Sequence, residues 1–284
     1  MTISASSMLV ELNLSVWTAN KLDRSATDTV LASNGATSHD AAQVRKNLMS
    51  GTSARKKIAD YATGCRNWHY TRTLPWSDKG VRLLPTSLFF DYKAELTKRQ
   101  FEFDRMVEQF LIDYPQLVQA AQGNMGSLFN PDDYPSAEEV RSKFGFKVVF
   151  SPVPESGDFR LDLPSQELAD MRADYDAAYT TRLNEAMGAA WGKLHEMLVG
   201  MSKKLTESDD DTKKRWHDTF LTNAYDLCSL LTHLNVANDP KLEAARQRME
   251  SALTGADIEI IKTDELTRAN LKDRLDSILK DFEW

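Results

Sequence analysis

Hydrophobic and polar positions alternate over residues 8–17, MLVELNLSVW, where Leu12, Leu14 and Val16 share one face and Glu11, Asn13 and Ser15 the other. A period of two with Val and Trp predicts a half-buried β-strand. Residues 18–38 are rich in Ser, Thr, Asn and Asp, include Asn34-Gly35, and read as a loop. Two helices are expected next, one from after Ser38 to near Gly51 and one from a Ser53 cap towards Tyr70. Pro75, Gly80 and Pro85 then break regular structure over 73–87. From Thr86 to Gln122, three- and four-residue steps through Phe89, Tyr92, Leu96, Phe103, Val107, Phe110 and Tyr114 predict a long helix, kinked or split at Pro115.

Residues 146–150 and 159–163 are strand-like runs separated by SPVPESGD, the pattern of a β-hairpin with a longer loop. Joined to the first strand they make an antiparallel sheet of about three strands, near 8–17, 146–151 and 158–163. Pro164-Ser165 opens a much longer pattern, in which Leu168, Met171, Tyr175, Leu183, Met187, Leu194, Leu198, Met201 and Leu205 lie on one stripe. A stripe of ~40 residues exceeds an ordinary globular helix and suggests coiled-coil-like packing, a surface for self-association. Helical patterns follow from Trp216 to Leu234, after the Asn238-Asp239-Pro240 cap to about Leu253, and from Thr263 to about Phe282, with a short strand over 258–261.

The fold class expected is α+β and mainly α-helical, with long helices and a small antiparallel sheet. Residues 1–163 form a basic helical region carrying the sheet, and 164–284 an acidic helical bundle. Pairing of the first strand with the hairpin ties the two into one continuous fold.

Charge sharpens this division. The 284 residues hold 35 Lys and Arg against 42 Asp and Glu, a net of −7. The first hundred residues are nevertheless at +6 and the rest at −13, and 41–100 alone hold 12 basic against 4 acidic residues. Such asymmetry points to a polyanion-facing part and a solvating or partner-facing part, or to like charges clustered on solvated helix faces. Two distant cysteines, Cys65 and Cys228, exclude a disulfide framework and a Cys-rich zinc site and fit a reducing cytoplasm. No run reaches the ~18 apolar residues of a membrane span, and Met1 to Ser7 has no basic residue ahead of its short apolar run, unlike a secretory signal.

Motifs of catalysis are missing. Neither G-x-x-x-x-G-K-[ST] nor G-x-G-x-x-G occurs, so no common nucleotide cradle is present. His195-Glu196 begins like a zinc-protease helix, but Val199 stands where the second ligand must be. Pro131-Asp132 lacks the following acid-x-Lys of a metal nuclease, and no serine sits in a G-x-S-x-G elbow. The expectation is a protein without catalytic residues, metal or cofactor.

The segment RKKIADYATGCRNWHYTRTLPW, residues 55–76, is the functional lead. Arg55, Lys56, Lys57, Arg66 and Arg72 are interleaved with Trp68, Tyr70 and Trp76. Cations along phosphates and aromatic faces under bases are how single-stranded nucleic acid is held. The same residues also fit a core, since Ile58, Tyr61, Cys65 and Trp68 recur at helical spacing.

LNLSVWTANKLD near the start and FGFKVVFSPVPESGDFRLDL ahead of the long helix resemble an uncharacterised family of tailed bacteriophages and bacteria, whose members are often encoded near ring-forming ATPases of the MoxR type. The resemblance implies a phage or bacterial cytoplasmic protein and transfers no catalytic residue. Two functions are therefore expected in order. The first is a non-enzymatic protein that binds nucleic acid, single-stranded by preference, through residues 41–100 and forms homo-oligomers through its long helices. The second is an adaptor or inhibitor that docks a protein partner, such as a ring ATPase or a host defence factor, through its acidic helices.

Overall fold

The structure is a computed structural model that describes residues 3–77, 80–154, 165–206, 219–282 and 284. Its elements in chain order are α1 (Ile3–Ser6), β1 (Ser7–Ser15), β2 (Asn20–Leu22), α2 (Arg24–Ser33), β3 (Arg45–Asn47), α3 (Ala54–Arg72), β4 (Leu74–Pro75), β5 (Val81–Pro85) and α4 (Phe89–Met125). There follow α5 (Ala137–Arg141), β6 (Gly145–Pro152), α6 (Ser165–Thr206), α7 (Thr219–Leu234), α8 (Pro240–Leu253), α9 (Ile258–Thr263) and α10 (Glu265–Asp281). The fold is α+β and mainly helical. Among the described residues, no helix is long and apolar enough to cross a membrane.

The chain divides into two compact units, neither of them a continuous stretch. Unit 1 comprises residues 1–11, 70–92 and 149–284; unit 2 comprises 12–69 and 93–148. Strand pairing and helix packing recruit separated segments of the chain into each unit.

In unit 1, β1 runs antiparallel to β5, with Leu9 opposite Leu83 and Glu11 opposite Val81, and β5 pairs in turn with β4. The sheet order is β4-β5-β1-β6, so the expected neighbours β1 and β6 are adjacent. The sheet has four strands rather than three, and the expected strand at 158–163 lies outside the described residues. The two additional strands occupy the stretch that prolines appeared to break. Pro75 lies in the edge strand β4 and Pro85 ends β5, positions where a missing N–H costs no ladder bond.

Leu9, Leu74 and Leu83 join a core supplied by α6, α7, α8 and α10. Ala186, Ala190, Leu194, Leu198, Met201 and Leu205 of α6 are all buried in it, with Cys228 and Leu231 of α7, Met249 of α8 and Leu275 of α10. This corrects the reading of the long stripe. From Ala186 onward it packs within its own chain, so it is not a surface awaiting a second copy. The segment at 258–261 is helical, not a strand. Asp257 caps it by accepting from the Glu259 N–H, and Ile261 alone is buried, too few apolar contacts to show as a helical period.

In unit 2, α3 buries Ile58, Ala62, Cys65 and Trp68, and α4 buries Leu96, Phe103, Val107, Phe110 and Tyr114. Aromatic edges lock these faces: Trp17 meets Phe110 at 6.4 Å and Tyr114 at 5.9 Å, and Phe103 meets Phe146 at 5.8 Å. Helix α4 continues through Pro115. The region expected as loop then helix is the reverse. Asp23 caps α2 at the Ala26 N–H, and the helix expected over 39–51 is instead turns around β3, which pairs with β2. Only Thr27 and Leu31 of α2 are buried, and its Ser, Thr and Asp content reads as loop.

Candidate functional site

The eight residues singled out in the sequence are divided between the two units. Arg55, Lys56 and Lys57 occupy the first turn of α3, and Arg66 and Trp68 follow about 16 Å further along that helix. All five belong to unit 2, whereas Tyr70, Arg72 and Trp76 belong to unit 1.

Two of the three aromatics are core residues, which corrects the expectation of a stacking platform. Trp68 is 8% exposed and Trp76 only 3%. The Arg99 guanidinium covers the Trp68 ring, 4.7 Å from its centroid. Trp76 packs edge-on to Tyr179 at 5.4 Å. Tyr70 is 46% exposed, but Arg82 lies over its ring at 4.8 Å. Base stacking needs an open ring face, and burial removes it at Trp68 and Trp76. Arg66 is also committed, its Nη2 donating to the Leu14 carbonyl at 2.7 Å. Arg72 is exposed and donates to the Thr71 hydroxyl at 3.4 Å.

The start of α3 is different. Its first turn holds three cations and no acidic residue. Cations there oppose the helix dipole, which places partial positive charge at the N-terminus, and each costs about 0.3–1 kcal/mol when exposed. Arg55 Nη1 donates to the Trp17 and Thr18 carbonyls at 3.3 and 3.1 Å, which fixes the guanidinium. Its other nitrogens meet no acceptor among the described residues. Lys56 pairs with Asp60 at 2.7 Å on an exposed face, a pair worth well under 1 kcal/mol. Lys57 is exposed and makes no ion pair among the described residues.

Arg55 and Lys56 line a cleft of about 410 Å3 with Thr18, Asn20, Asn47, Thr52 and Asp60. The two asparagines face each other at one end of the β2–β3 ladder, Asn20 on β2 and Asn47 on β3. Sequence reading missed them because that hairpin was assigned to loop and helix. Lys21 and Arg45 are exposed on the same two strands. The hairpin is held from beneath by Lys46, whose side chain is 8% exposed and pairs with Asp133 and, at 3.3 Å, with Asp23. Asp133 foremost, and Asp23 after it, keep the Lys46 ammonium above its usual range.

No protein-family model, curated protein or solved structure matches this chain.

Folding also redistributes charge. The 12 to 4 excess over 41–100 becomes 15 basic against 13 acidic residues in unit 2, because α4 and α5 bring Glu and Asp alongside. Unit 1 is left at −9. What persists is a local concentration of cations at the α3 N-terminus. Among the described residues, no group of three His, Cys, Asp or Glu is placed to hold a metal ion.

Proposed function

We propose that this is a non-enzymatic bacteriophage or bacterial protein that binds nucleic acid, with the first turn of α3 gripping the phosphate backbone. The observation that carries the reading is the trio Arg55, Lys56 and Lys57 on a turn without an acid, beside the cleft lined by Asn20 and Asn47. Backbone N–H groups, the helix dipole and three ammonium or guanidinium groups all favour an anion there. Amide side chains beside them suit sugar or phosphate oxygens. The preference for single strands rested on stacking by Trp68 and Trp76; with both buried, the reading rests on phosphate contacts common to single and double strands.

The full chain, titrated into a labelled single-stranded oligonucleotide and its duplex between about 50 and 200 mM salt, tests this. Three phosphate contacts give a slope of log K against log salt of about −2.7 on duplex and about −2 on single strands. Absence of binding at the lowest salt overturns the proposal.

A second reading has its own observation. Ile260 and Leu266 in unit 1 are 50% and 68% exposed and are flanked by Asp257, Glu259, Asp264 and Glu265. Apolar residues in an acidic setting suit a basic protein partner, such as a ring ATPase or a host defence factor. Recovery of one stoichiometric partner that survives nuclease treatment and is lost in Leu266→Asp favours this reading; recovery that nuclease abolishes counts against it.

A further inference from the structure

Within unit 2, helix α4 buries one face through Leu96, Phe103, Val107, Phe110 and Tyr114 and leaves the opposite face open. That open face carries two large apolar side chains, Phe101 and Ile112, which are 71% and 67% exposed. Eleven residues separate them, about three turns or 16 Å, so they stand in line along the helix. Arg105 and Glu108 lie between them on the same line, and both are exposed. From Phe101 the four positions step by four, three and four residues. This is the spacing of a seam along which two helices pack.

The seam is complementary to itself read backwards. Turned end for end about a point between Met106 and Val107, it sets Phe101 against Ile112 and Arg105 against Glu108. A two-fold axis makes every contact twice, so two apolar contacts flank two ion pairs. The parallel alternative sets Arg105 against Arg105 and Glu108 against Glu108, and like charges disfavour it. Each charged group has room for a second partner. Arg105 donates to Glu102 through Nε and Nη2 at 2.8 and 2.7 Å, and its Nη1 has no acceptor among the described residues. Glu108 meets Arg141 through Oε1 at 2.8 Å, which leaves Oε2. Both existing pairs are exposed, so sharing them costs little.

We infer that the open face of α4 is an interface between two copies of this chain, packed antiparallel. Phe101 of each copy lies over the partner's Ile112, and Arg105 meets the partner's Glu108. Two helices in contact over about three turns bury less than a standard interface, so the dimer is a transient one with a dissociation constant in the micromolar range. It forms without nucleic acid and does not rest on the α3 reading.

Sedimentation velocity of the full chain alone, from about 1 to 200 μM, tests the inference. The sedimentation coefficient should rise with concentration from monomer to dimer. Phe101→Ser and Ile112→Ser change exposed positions; each should keep the circular dichroism of the parent and weaken the dimer at least tenfold. Arg105→Glu sets like charges against Glu108, and Glu108→Arg sets like charges against Arg105, so each variant should be monomeric. Mixed in equal amounts, the two should dimerise again, because every cross pair then has opposite charges. A parent chain that stays monomeric at the highest concentration overturns the inference. So does a dimer that Phe101→Ser leaves unchanged, or two charge variants that fail to recombine.

Discussion

The guanidinium of Arg99 lies over the indole of Trp68, 4.7 Å from the ring centroid, so the most prominent aromatic of the basic segment already stacks on a cation of its own chain. Arg99 is held in place by Glu95 at 2.8 Å. Trp68 therefore acts in stability. Trp68→Ala should lower unfolding free energy by about 3–5 kcal/mol in denaturant titrations. Trp68→Phe should fold and bind oligonucleotides as the parent does. A loss of affinity in folded Trp68→Phe would restore a stacking role.

Affinity should follow the first turn of α3. Lys57→Gln should reduce the salt slope on duplex by about 0.9, one phosphate contact. Asp60→Asn frees Lys56 from its i, i+4 partner and should tighten binding at low salt. Binding curves insensitive to both changes would remove α3 from the interface.

The Lys46 cluster should behave as a fastener of the β2–β3 hairpin. Lys46→Ala leaves the Asp133 side chain, 10% exposed, with the more exposed Lys21 at 3.9 Å in place of its buried cation and should cost up to about 3 kcal/mol. The Ala26 N–H first, and Lys46 after it, hold the Asp23 carboxyl below its ordinary value of 3.8. A depressed carboxyl contributes stability above that value and loses it as pH falls through the lower one. Asp23→Asn should flatten the acid limb of a thermal-unfolding profile recorded against pH.

Gly51 has a φ of +78°, and a Cβ there collides with the Asn124 side chain, whose Nδ2 donates to the Ser50 carbonyl at 3.3 Å. Gly51→Ala meets the left-handed penalty of about 1–2 kcal/mol and the collision together. Asn124→Ala removes the collision, at the loss of the hydrogen bond to Ser50, and leaves the left-handed penalty. The double variant should therefore be less destabilised than the sum of the two single ones in a double-mutant cycle.

Both thiols should be silent in the folded protein. Burial pushes Cys228 up to about 11 and Cys65 above its ordinary 9.0. A disulfide reagent at pH 8 should react with neither, and with both once guanidinium unfolds the chain. A raised thiol contributes stability that is complete below pH 9 and declines as pH rises towards 11. Rapid native labelling would show that one of these sites opens.

The sequence announced α3, α4, α6, α8 and α10 because each carries many buried apolar residues at a steady helical period. It concealed α2 and α9, which bury one or two residues apiece and rely on the caps Asp23 and Asp257. It concealed β4 and β5 because prolines mark strand ends as readily as strand breaks. Periodicity located the α6 stripe but could not say that its partners are α7, α8 and α10 of the same chain. Of the candidate site, the cations at 55–57 were legible as a run of charge. Asn20 and Asn47 were not, since only the hairpin register brings them opposite each other.

The segments of the two units alternate along the chain, and this sets an order for synthesis. The last residue of unit 2 is Val148, while unit 1 needs residues 149–284 as well as its first eleven. At about 5–20 residues per second, those final residues take roughly 7–27 s to appear. Unit 2 can close in that interval while Leu9 and Leu83 wait for α6 to cover them. The earliest-made strand is among the last parts to be protected, and a ribosome stalled just past Val148 would display it uncovered.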